Sequence, residues 1–283
     1  MTVAAARLDP LAVRRTLREA GLRARHERSQ NFLADPDVLQ AIVDLAAPGP
    51  DRRILEIGPG LGILTGALLE GGASVTAVEL DAGLAAYLRG ALAAPIEAGR
   101  LRLIEGDALD LELTTLVPAP YDVVANLPYH ITSPTLHRFL DAGPRPRRLV
   151  LMLQAEVADR IAAEPGRMSY LSVFVQYHAE VRVAVRVPSE AFEPAPKVSS
   201  AVVVLEPHAG PPPLGPEREA ALWRLVQAGF RERRKMLRNV LPRQLPHLGE
   251  RLDAALARVG IEGDRRPQTL SVDEWLRLLE GLG

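Results

Sequence analysis

The sequence contains no cysteine, which excludes disulfides, thiolate zinc sites and cysteine nucleophiles. Histidine is also sparse. The six histidines, at positions 26, 130, 137, 178, 208 and 247, lack the spacing of metal ligands, so we expect no metal site. No uncharged apolar run approaches the ~20 residues that span a bilayer. Residues 1–15 lack a long apolar core after a basic start. We therefore expect no secretory signal, no membrane partner and a cytoplasmic location.

Lysine is nearly absent as well, since only two of the 34 basic residues are lysine. The overall net charge of −1 conceals an uneven distribution. Residues 1–30 carry a net charge of +4 and residues 224–243 carry +6, whereas residues 51–130 carry −6. An acidic middle between basic ends suits a cationic small ligand inside the protein and a polyanion outside it. Taken alone, the pattern is better explained by solvated charged faces.

Patterns of buried strands alternate with helical patterns across much of the chain. The strand patterns lie at 53–57, 74–78, 101–104, 121–125 and 148–153. This alternation predicts a doubly wound α/β fold whose mostly parallel sheet is covered on both faces. Two further strand patterns, at 181–187 and 200–205, have no helix between them and predict antiparallel neighbours. A mostly parallel sheet that ends in an antiparallel hairpin is typical of the Rossmann-like class I methyltransferase fold.

The ends of the chain are predicted to be helical. Residues 10–27 have the pattern of a basic amphipathic helix, and Asp35-Pro36 and the capping box Ser271–Glu274 predict helix starts. Five prolines in residues 206–216 predict a linker, after which only helical patterns follow, at 217–230, 232–241, 248–259 and 272–281. We therefore divide the chain into four parts. These are an N-terminal helix and loop (1–33), an α/β domain (34–205), a linker (206–216) and a small all-α domain (217–283).

A glycine-rich segment, Glu56–Gly62, follows the first strand, at the end of a parallel sheet where ligands bind. Glu79 ends the second strand, 21 residues after Gly58, where an acid accepts hydrogen bonds from a ribose diol. Asp107 follows the third strand and is placed to accept the amine of an adenine. Each acid alone is as readily a cap residue, but three strand-end features in register favour a nucleoside site. A nicotinamide dinucleotide is disfavoured because the third glycine comes one residue early.

The segment Asn126-Leu127-Pro128-Tyr129 follows the fourth strand and suits methyl transfer to an aromatic amine. The lone pair of adenine N6 is delocalised, so the amine is a poor nucleophile. The Asn126 side-chain oxygen and the Leu127 carbonyl would bind both amine hydrogens and favour a pyramidal nitrogen. Pro128 stiffens the turn, and Tyr129 offers a face on which a flipped-out base stacks. The structural alternative is a proline-containing turn after a strand.

With these segments the chain resembles the small-subunit rRNA adenine N6,N6-dimethyltransferases, the KsgA/RsmA family. The resemblance runs from about residue 10 to the C-terminus, with the motifs in the family's order, at Ser29–Leu33, Glu56–Gly62, Asn126–Tyr129, Phe192–Val202 and Phe230–Lys235. The combination of Asn-Leu-Pro-Tyr, Pro-Lys-Val and Arg-Arg-Lys makes it specific. Two places depart from the family's usual residues, namely Ala155, where lysine is common, and Met168–Tyr170, where Tyr-Gly-x is usual.

The resemblance implies dimethylation of two adjacent adenosines in a hairpin loop near the 3′ end of 16S rRNA, with S-adenosylmethionine as methyl donor. It also implies a role in 30S biogenesis, and we expect a monomer without metal. The cofactor contacts would be Asn31, Leu33, Gly58, Gly60, Glu79, Asp107 and Asn126. The catalytic residues would be Asn126, Leu127, Pro128, Tyr129 and Phe192, with Phe192 facing Tyr129 across the base unless it is a core aromatic. The RNA-binding residues would be Lys197, Arg231, Arg233, Arg234, Lys235 and Arg238.

These roles also apply to the predicted domains. Residues 1–33 would cap the cofactor, residues 34–205 would bind it, and residues 217–283 would bind RNA. Two other functions stay open from the sequence. One is a 23S rRNA adenine methyltransferase of the macrolide-resistance type, which the Arg-Arg-Lys and Pro-Lys-Val segments disfavour. The other is a 30S assembly factor that acts mainly by binding.

Overall fold

The computed structural model describes residues 8–25, 30–128, 131–141, 143–210 and 214–283. The chain forms two compact units. The first comprises Met1–Ala158 and Arg182–Pro207, and the second comprises Asp159–Val181 and His208–Gly283. The boundary after Pro207 falls in the proline-rich stretch. The segment Asp159–Val181 contributes to the second unit, although the strand and helix pattern assigns it to the α/β domain.

The strands form one large sheet and one small one. The large sheet contains β2 (Arg53–Ile57), β3 (Ser74–Glu79), β4 (Leu101–Glu105), β5 (Asp122–Asn126), β6 (Leu149–Gln154), β7 (Ala179–Val187) and β9 (Ser200–Pro207). Its strand order is β4-β3-β2-β5-β6-β9-β7. The small sheet pairs β1 (Phe32–Leu33) with β8 (Phe192–Glu193).

The pairing confirms the predicted fold class. It is parallel from β4 through β3, β2 and β5 to β6, and β9 then runs antiparallel to β6. The inner strands β2 and β5 are buried on both faces, which explains their continuous apolar runs. The edge strand β7 instead alternates, and its arginines at 182 and 186 follow this period of two.

The helices before the unit boundary are α1 (Pro10–Glu19), α2 (Pro36–Ala46), α3 (Ile63–Glu70), α4 (Ala82–Ala91), α5 (Ala93–Glu97), α6 (Leu113–Leu116) and α7 (Thr132–Asp141), and α8 (Ala155–Ile161) crosses it. Asp35 caps α2 and Pro36 occupies its first position, as predicted. The sequence pattern over residues 82–93 predicts a single helix, but Leu92 leaves the helical conformation and separates α4 from α5. Within the described residues, no helix is long and apolar enough to cross a membrane.

The N-terminal helix is shorter than the predicted 10–27. It ends at Glu19, and Gly21 adopts the left-handed conformation with φ +66°. The amide of Leu22 then bonds back to the carbonyl of Leu17 at 2.8 Å, which closes the helix end. Helix α1 buries Val13 and Leu17 in a small core with Phe32, Ala34, Leu61 and Leu84.

The second unit is helical, as predicted. Its helices are α9 (Tyr170–His178), α10 (Pro216–Arg231), α11 (Leu237–Gln244), α12 (Gly249–Val259) and α13 (Val272–Leu282). They enclose an apolar core that contains the fully buried Trp275. Ser271 and Glu274 form the predicted capping box of α13. Ser169 and Ser172 form a second one at α9, so the departure at Ser169 supplies a helix cap.

The helix predicted at 232–241 is wrong in its first half. Helix α10 ends at Arg231, and α11 begins at Leu237. The amides of Leu237 and Arg238 bond to the carbonyls of Arg265 and Gly263, at 2.8 and 2.9 Å. These contacts with a distant loop replace intrahelical bonds. Residues 232–236, which hold most of the basic cluster, therefore form a turn between two helices.

Candidate active site

A cavity of about 190 Å³ opens at the carboxyl ends of the parallel strands in the first unit. Ten of the predicted site residues line it: Asn31, Leu33, Gly58, Gly60, Glu79, Asp107, Asn126, Leu127, Pro128 and Phe192. Tyr129, the remaining predicted catalytic residue, lies outside the described residues. The structure thus brings together segments that span more than half of the sequence.

The glycine-rich loop forms one wall of the cavity. Gly58, Gly60 and Gly62 all have positive φ, at +67°, +60° and +77°. A Cβ atom at Gly62 would lie 2.7 Å from a methyl carbon of Leu88. A Cβ at Gly58 would meet no atom within 4 Å among the described residues beyond its two chain neighbours. Gly62 is therefore required for packing, whereas Gly58 leaves space beside the loop for a ligand.

Glu79 holds this loop in place. Its Oε2 accepts a hydrogen bond from the amide of Gly60 at 3.1 Å, and its Oε1 accepts one from the amide of Asp81 at 2.8 Å. Burial raises the pKa of the Glu79 carboxyl, although these amide bonds favour the ionised form. A carboxylate oxygen accepts more than one hydrogen bond. Glu79 can therefore orient the loop and still accept a diol.

Glu56 is a functional candidate that the sequence reasoning did not single out. It precedes the glycine-rich loop, is buried and lines the cavity. Its Oε2 has no hydrogen-bond partner among the described residues. Burial, with the nearby Glu79 carboxylate, raises the pKa of Glu56 to about 8. An unsatisfied buried carboxyl is costly, so a hydrogen-bonding or cationic ligand would stabilise it. The available signal was an acid near the end of a strand, two residues before the first glycine of the loop.

Asp107 lines the cavity from the loop after β4. Its Oδ1 accepts a hydrogen bond from the amide of Leu109 at 2.8 Å. Asp107 therefore has the capping role that the sequence offered as the alternative to ligand binding. This bond orients the side chain. The second carboxylate oxygen is then the one available to a ligand amine.

Asn126 is the last residue of β5, and its side chain crosses to the N-terminal segment. Its Nδ2 donates to the backbone oxygen of Asn31 at 3.2 Å, which leaves Oδ1 as an acceptor. The amide of Leu127 bonds to the carbonyl of Met152 at 3.0 Å, and the Leu127 side chain is buried. Residues 126 and 127 are therefore held firmly against the sheet.

The small sheet of β1 and β8 forms the side of the cavity on which Phe192 lies. Leu33 pairs with Phe192 and Phe32 pairs with Glu193. The guanidinium of Arg14 on α1 clamps Glu193 with two contacts, at 2.7 and 2.9 Å. Arg25 pairs with Asp81 at 3.2 Å. These contacts attach the N-terminal segment to the α/β unit and place Asn31 and Leu33 at the cavity.

The predicted RNA-binding residues do not line the cavity. Lys197 is exposed in the first unit, and five others are exposed in the second, namely Arg231, Arg233, Arg234, Lys235 and Arg238. Glu232 pairs with Arg243 at 3.0 Å. Within the described ranges no salt bridge involves Arg233, Arg234 or Lys235, so their charges remain available.

Several known proteins resemble this chain in sequence, and some solved structures resemble it in fold. The model of the family described as ribosomal RNA adenine dimethylase matches residues 21–282. A relative from Geobacter metallireducens named ribosomal RNA small subunit methyltransferase A is 44% identical, over 93% of this chain and 96% of that protein. The crystal structure of the 23S rRNA methyltransferase ErmE matches with a TM-score of 0.72 and 31% identity, over 89% of this chain and 99% of that one. A dimethyladenosine transferase from Plasmodium falciparum gives a TM-score of 0.72 at 25% identity, over 87% and 95%.

Proposed function

The chain belongs to the ribosomal RNA adenine dimethylase family, and on this premise we propose that it dimethylates N6 of two adjacent adenosines near the 3′ end of 16S rRNA within the 30S particle. S-adenosylmethionine is the methyl donor. The observation that carries the proposal is the convergence of Glu56, Glu79, Asp107 and Asn126 on one cavity.

The cavity suits this donor in charge and shape. S-adenosylmethionine supplies an electrophilic methyl group on a positively charged sulfur. Glu79 and Asp107 give the cavity an acidic lining, which favours a cation, and a bound cation would in turn favour the ionised form of the buried Glu56. Glu79 would bind the ribose diol, and Asp107 would bind the adenine amine. The open space beside Gly58 accommodates a ligand close to the backbone.

The residues at the end of β5 would activate the target amine. Asn126 Oδ1 and the Leu127 carbonyl accept its two hydrogens, which favours a pyramidal nitrogen with its lone pair directed at the methyl group. Both groups are preorganised, because Asn126 is bonded to Asn31 and Leu127 to Met152. After transfer, the alkylated nitrogen releases its proton to water without a dedicated base. Phe192, with Tyr129 opposite, would sandwich the base.

Two lines of support favour the small subunit over the 23S alternative. Identity is higher to the small-subunit relative, at 44%, than to the 23S enzyme, at 31%. The Pro-Lys-Val and Arg-Arg-Lys segments also resemble the small-subunit enzymes. By the same resemblance, we place the protein in the cytoplasm as a monomer that works on assembling 30S particles.

The decisive experiment uses the full chain with methyl-labelled S-adenosylmethionine. Its substrates are unmethylated 30S particles, 50S particles and naked 16S rRNA, and primer extension maps the modified adenosines. We expect labelling of 30S particles at two adjacent adenosines. Labelling of 50S particles alone would replace this proposal with the 23S function. Binding to 30S particles without any labelling would favour the assembly factor.

A further inference from the structure

A basic groove lies on the first unit, beside the cavity but separate from it. It has a volume of about 520 Å³. Its walls come from the second half of α1, the turn that follows α1, and the end of β8 with the residue after it. Three arginines line it, at positions 14, 18 and 23, together with Leu22, Glu193 and Pro194. None of the predicted RNA-binding residues lines this groove.

Among the residues that the structure describes, the groove carries an uncompensated positive charge. Glu193 is the one acidic residue of that described lining, and both of its carboxylate oxygens are engaged by Arg14. Arg18 and Arg23 are exposed. Across the described part of the chain, neither forms a salt bridge. Two guanidinium groups therefore face the groove without a carboxylate partner, beside the apolar surfaces of Leu22 and Pro194.

The groove and the cavity share strand β8. Phe192 lines the cavity, and its neighbour Glu193 lines the groove. Consecutive residues of a strand point to opposite faces, so the two concavities lie on opposite sides of β8. A nucleotide whose base entered the cavity would leave its backbone at the rim, close to the arginines of α1.

We propose that this groove binds the single-stranded RNA backbone that flanks the target adenosine, with Arg18 and Arg23 each contacting one phosphate. Arginine suits this role because its planar guanidinium donates bidentate hydrogen bonds to phosphate oxygens. A single strand fits better than a duplex, because a base reaches a closed pocket only when it is unstacked. The apolar wall formed by Leu22 and Pro194 would face the sugars. The proposal rests on the proposed function, because it takes the cavity as the site of the target base.

The test compares Arg18→Ala/Arg23→Ala with the wild-type full chain. Binding to unmethylated 30S particles is measured by filter binding over a series of salt concentrations. Losing two single-strand phosphate contacts should lower the log–log salt slope by about 1.4 units. Arg15→Ala is the matched control, because Arg15 is exposed on the same helix but does not line the groove. Arg18→Lys/Arg23→Lys should keep the slope, because the charges remain.

Calorimetry with S-adenosylmethionine and thermal unfolding establish that the variants are folded, and both should match the wild type. If the wild type methylates 30S particles but the double alanine variant keeps the wild-type slope, the groove proposal is overturned and the proposed function stands. A slope that falls equally in the lysine variant would also overturn it, because charge would not be the cause. If the wild type fails to methylate 30S particles, the proposed function fails, and the salt slope still decides whether the groove binds RNA.

Discussion

The side chain of Asn126 donates a hydrogen bond to the backbone oxygen of Asn31 at 3.2 Å, although 95 positions separate the two residues. The bond ties the end of β5 to the N-terminal segment beside the cavity. It also fixes the orientation of the side-chain amide, because the nitrogen is engaged and the oxygen remains as an acceptor. In the proposed function, the same contact would organise both the cofactor side and the target side of the site.

We expect Asn126→Ala to lower kcat for methyl transfer by about 10²–10³, the cost of removing one preorganised polar group from a reacting site. Asn126→Asp should be comparably impaired, because a carboxylate cannot donate to the Asn31 carbonyl. Transfer of labelled methyl groups to 30S particles measures both, and the exposed Asn239→Ala is the control. A fully active alanine variant would remove Asn126 from catalysis. An inactive variant that still complements a deletion strain would support the assembly-factor role.

Glu79→Ala should weaken the binding of S-adenosylmethionine by roughly ten- to a hundredfold, or about 1.5–3 kcal/mol, because a charge-assisted hydrogen bond is lost. RNA binding should change much less. Glu105→Ala is a close control, because Glu105 lies opposite Glu79 in the register of the adjacent strand but forms its salt bridge with the exposed Arg89. Isothermal calorimetry measures the affinity of both variants for S-adenosylmethionine, and only Glu79→Ala should lose affinity. Equal losses in the two variants would mean that Glu79 has no specific role.

Tyr129 is predicted to stack on the target base. Tyr129→Ala should lose methyl transfer with little change in cofactor affinity, because base–aromatic stacking contributes ~1–3 kcal/mol. Tyr129→Phe should retain most of the activity, since the ring is needed and the hydroxyl is not. Steady-state kinetics on 30S particles checks both variants. A folded but inactive phenylalanine variant would show that the hydroxyl takes part.

The stability of the free protein should depend on Glu56. Burial raises the pKa of Glu56 to about 8, so the folded state holds a proton that the unfolded chain loses near pH 4.5. The folded state then binds more protons between these values, so the contribution of Glu56 to stability falls as pH rises from about 4.5 to about 8 and is lost above that. Glu56→Gln should flatten this dependence and raise the melting temperature above pH 8. Each ~1 kcal/mol corresponds to about 2–4 °C for a domain of this size. Unchanged pH–melting curves would contradict the protonated carboxyl.

The turn between α10 and α11 should contribute to RNA affinity. Arg233→Ala with Arg234→Ala is expected to weaken binding to 30S particles and to lower the log–log salt slope by about 1.4–1.8 units, because two phosphate contacts are lost. Cofactor affinity should stay constant, since neither residue lines the cavity. Arg167→Ala with Arg218→Ala removes the same charge from exposed positions of the same unit. An unchanged slope in the first variant would make the cluster a solvated face.

Local signals in the sequence were sufficient for the α/β architecture. Apolar periodicity separates buried strands from helices, and parallel strands place their carboxyl ends at one edge. Glu79 and Asn126 could therefore be assigned to a common site from their positions at strand ends. Local signals were less reliable at helix ends. The stop at Glu19 follows from the left-handed Gly21, and the turn at 232–236 follows from bonds to Gly263 and Arg265.

The sequence by itself determined the order of strands and helices, the glycine-rich loop and the acids that follow the strands, because these depend on neighbours within a few residues. Tertiary structure alone decided the pairing of β1 with β8, the bond between Asn126 and Asn31, and the inclusion of Asp159–Val181 in the second unit. It also decided the protonation of Glu56, whose pKa depends on how completely packing removes water from the carboxyl. Contacts between distant segments, and the desolvation that they cause, exist only once the chain has folded.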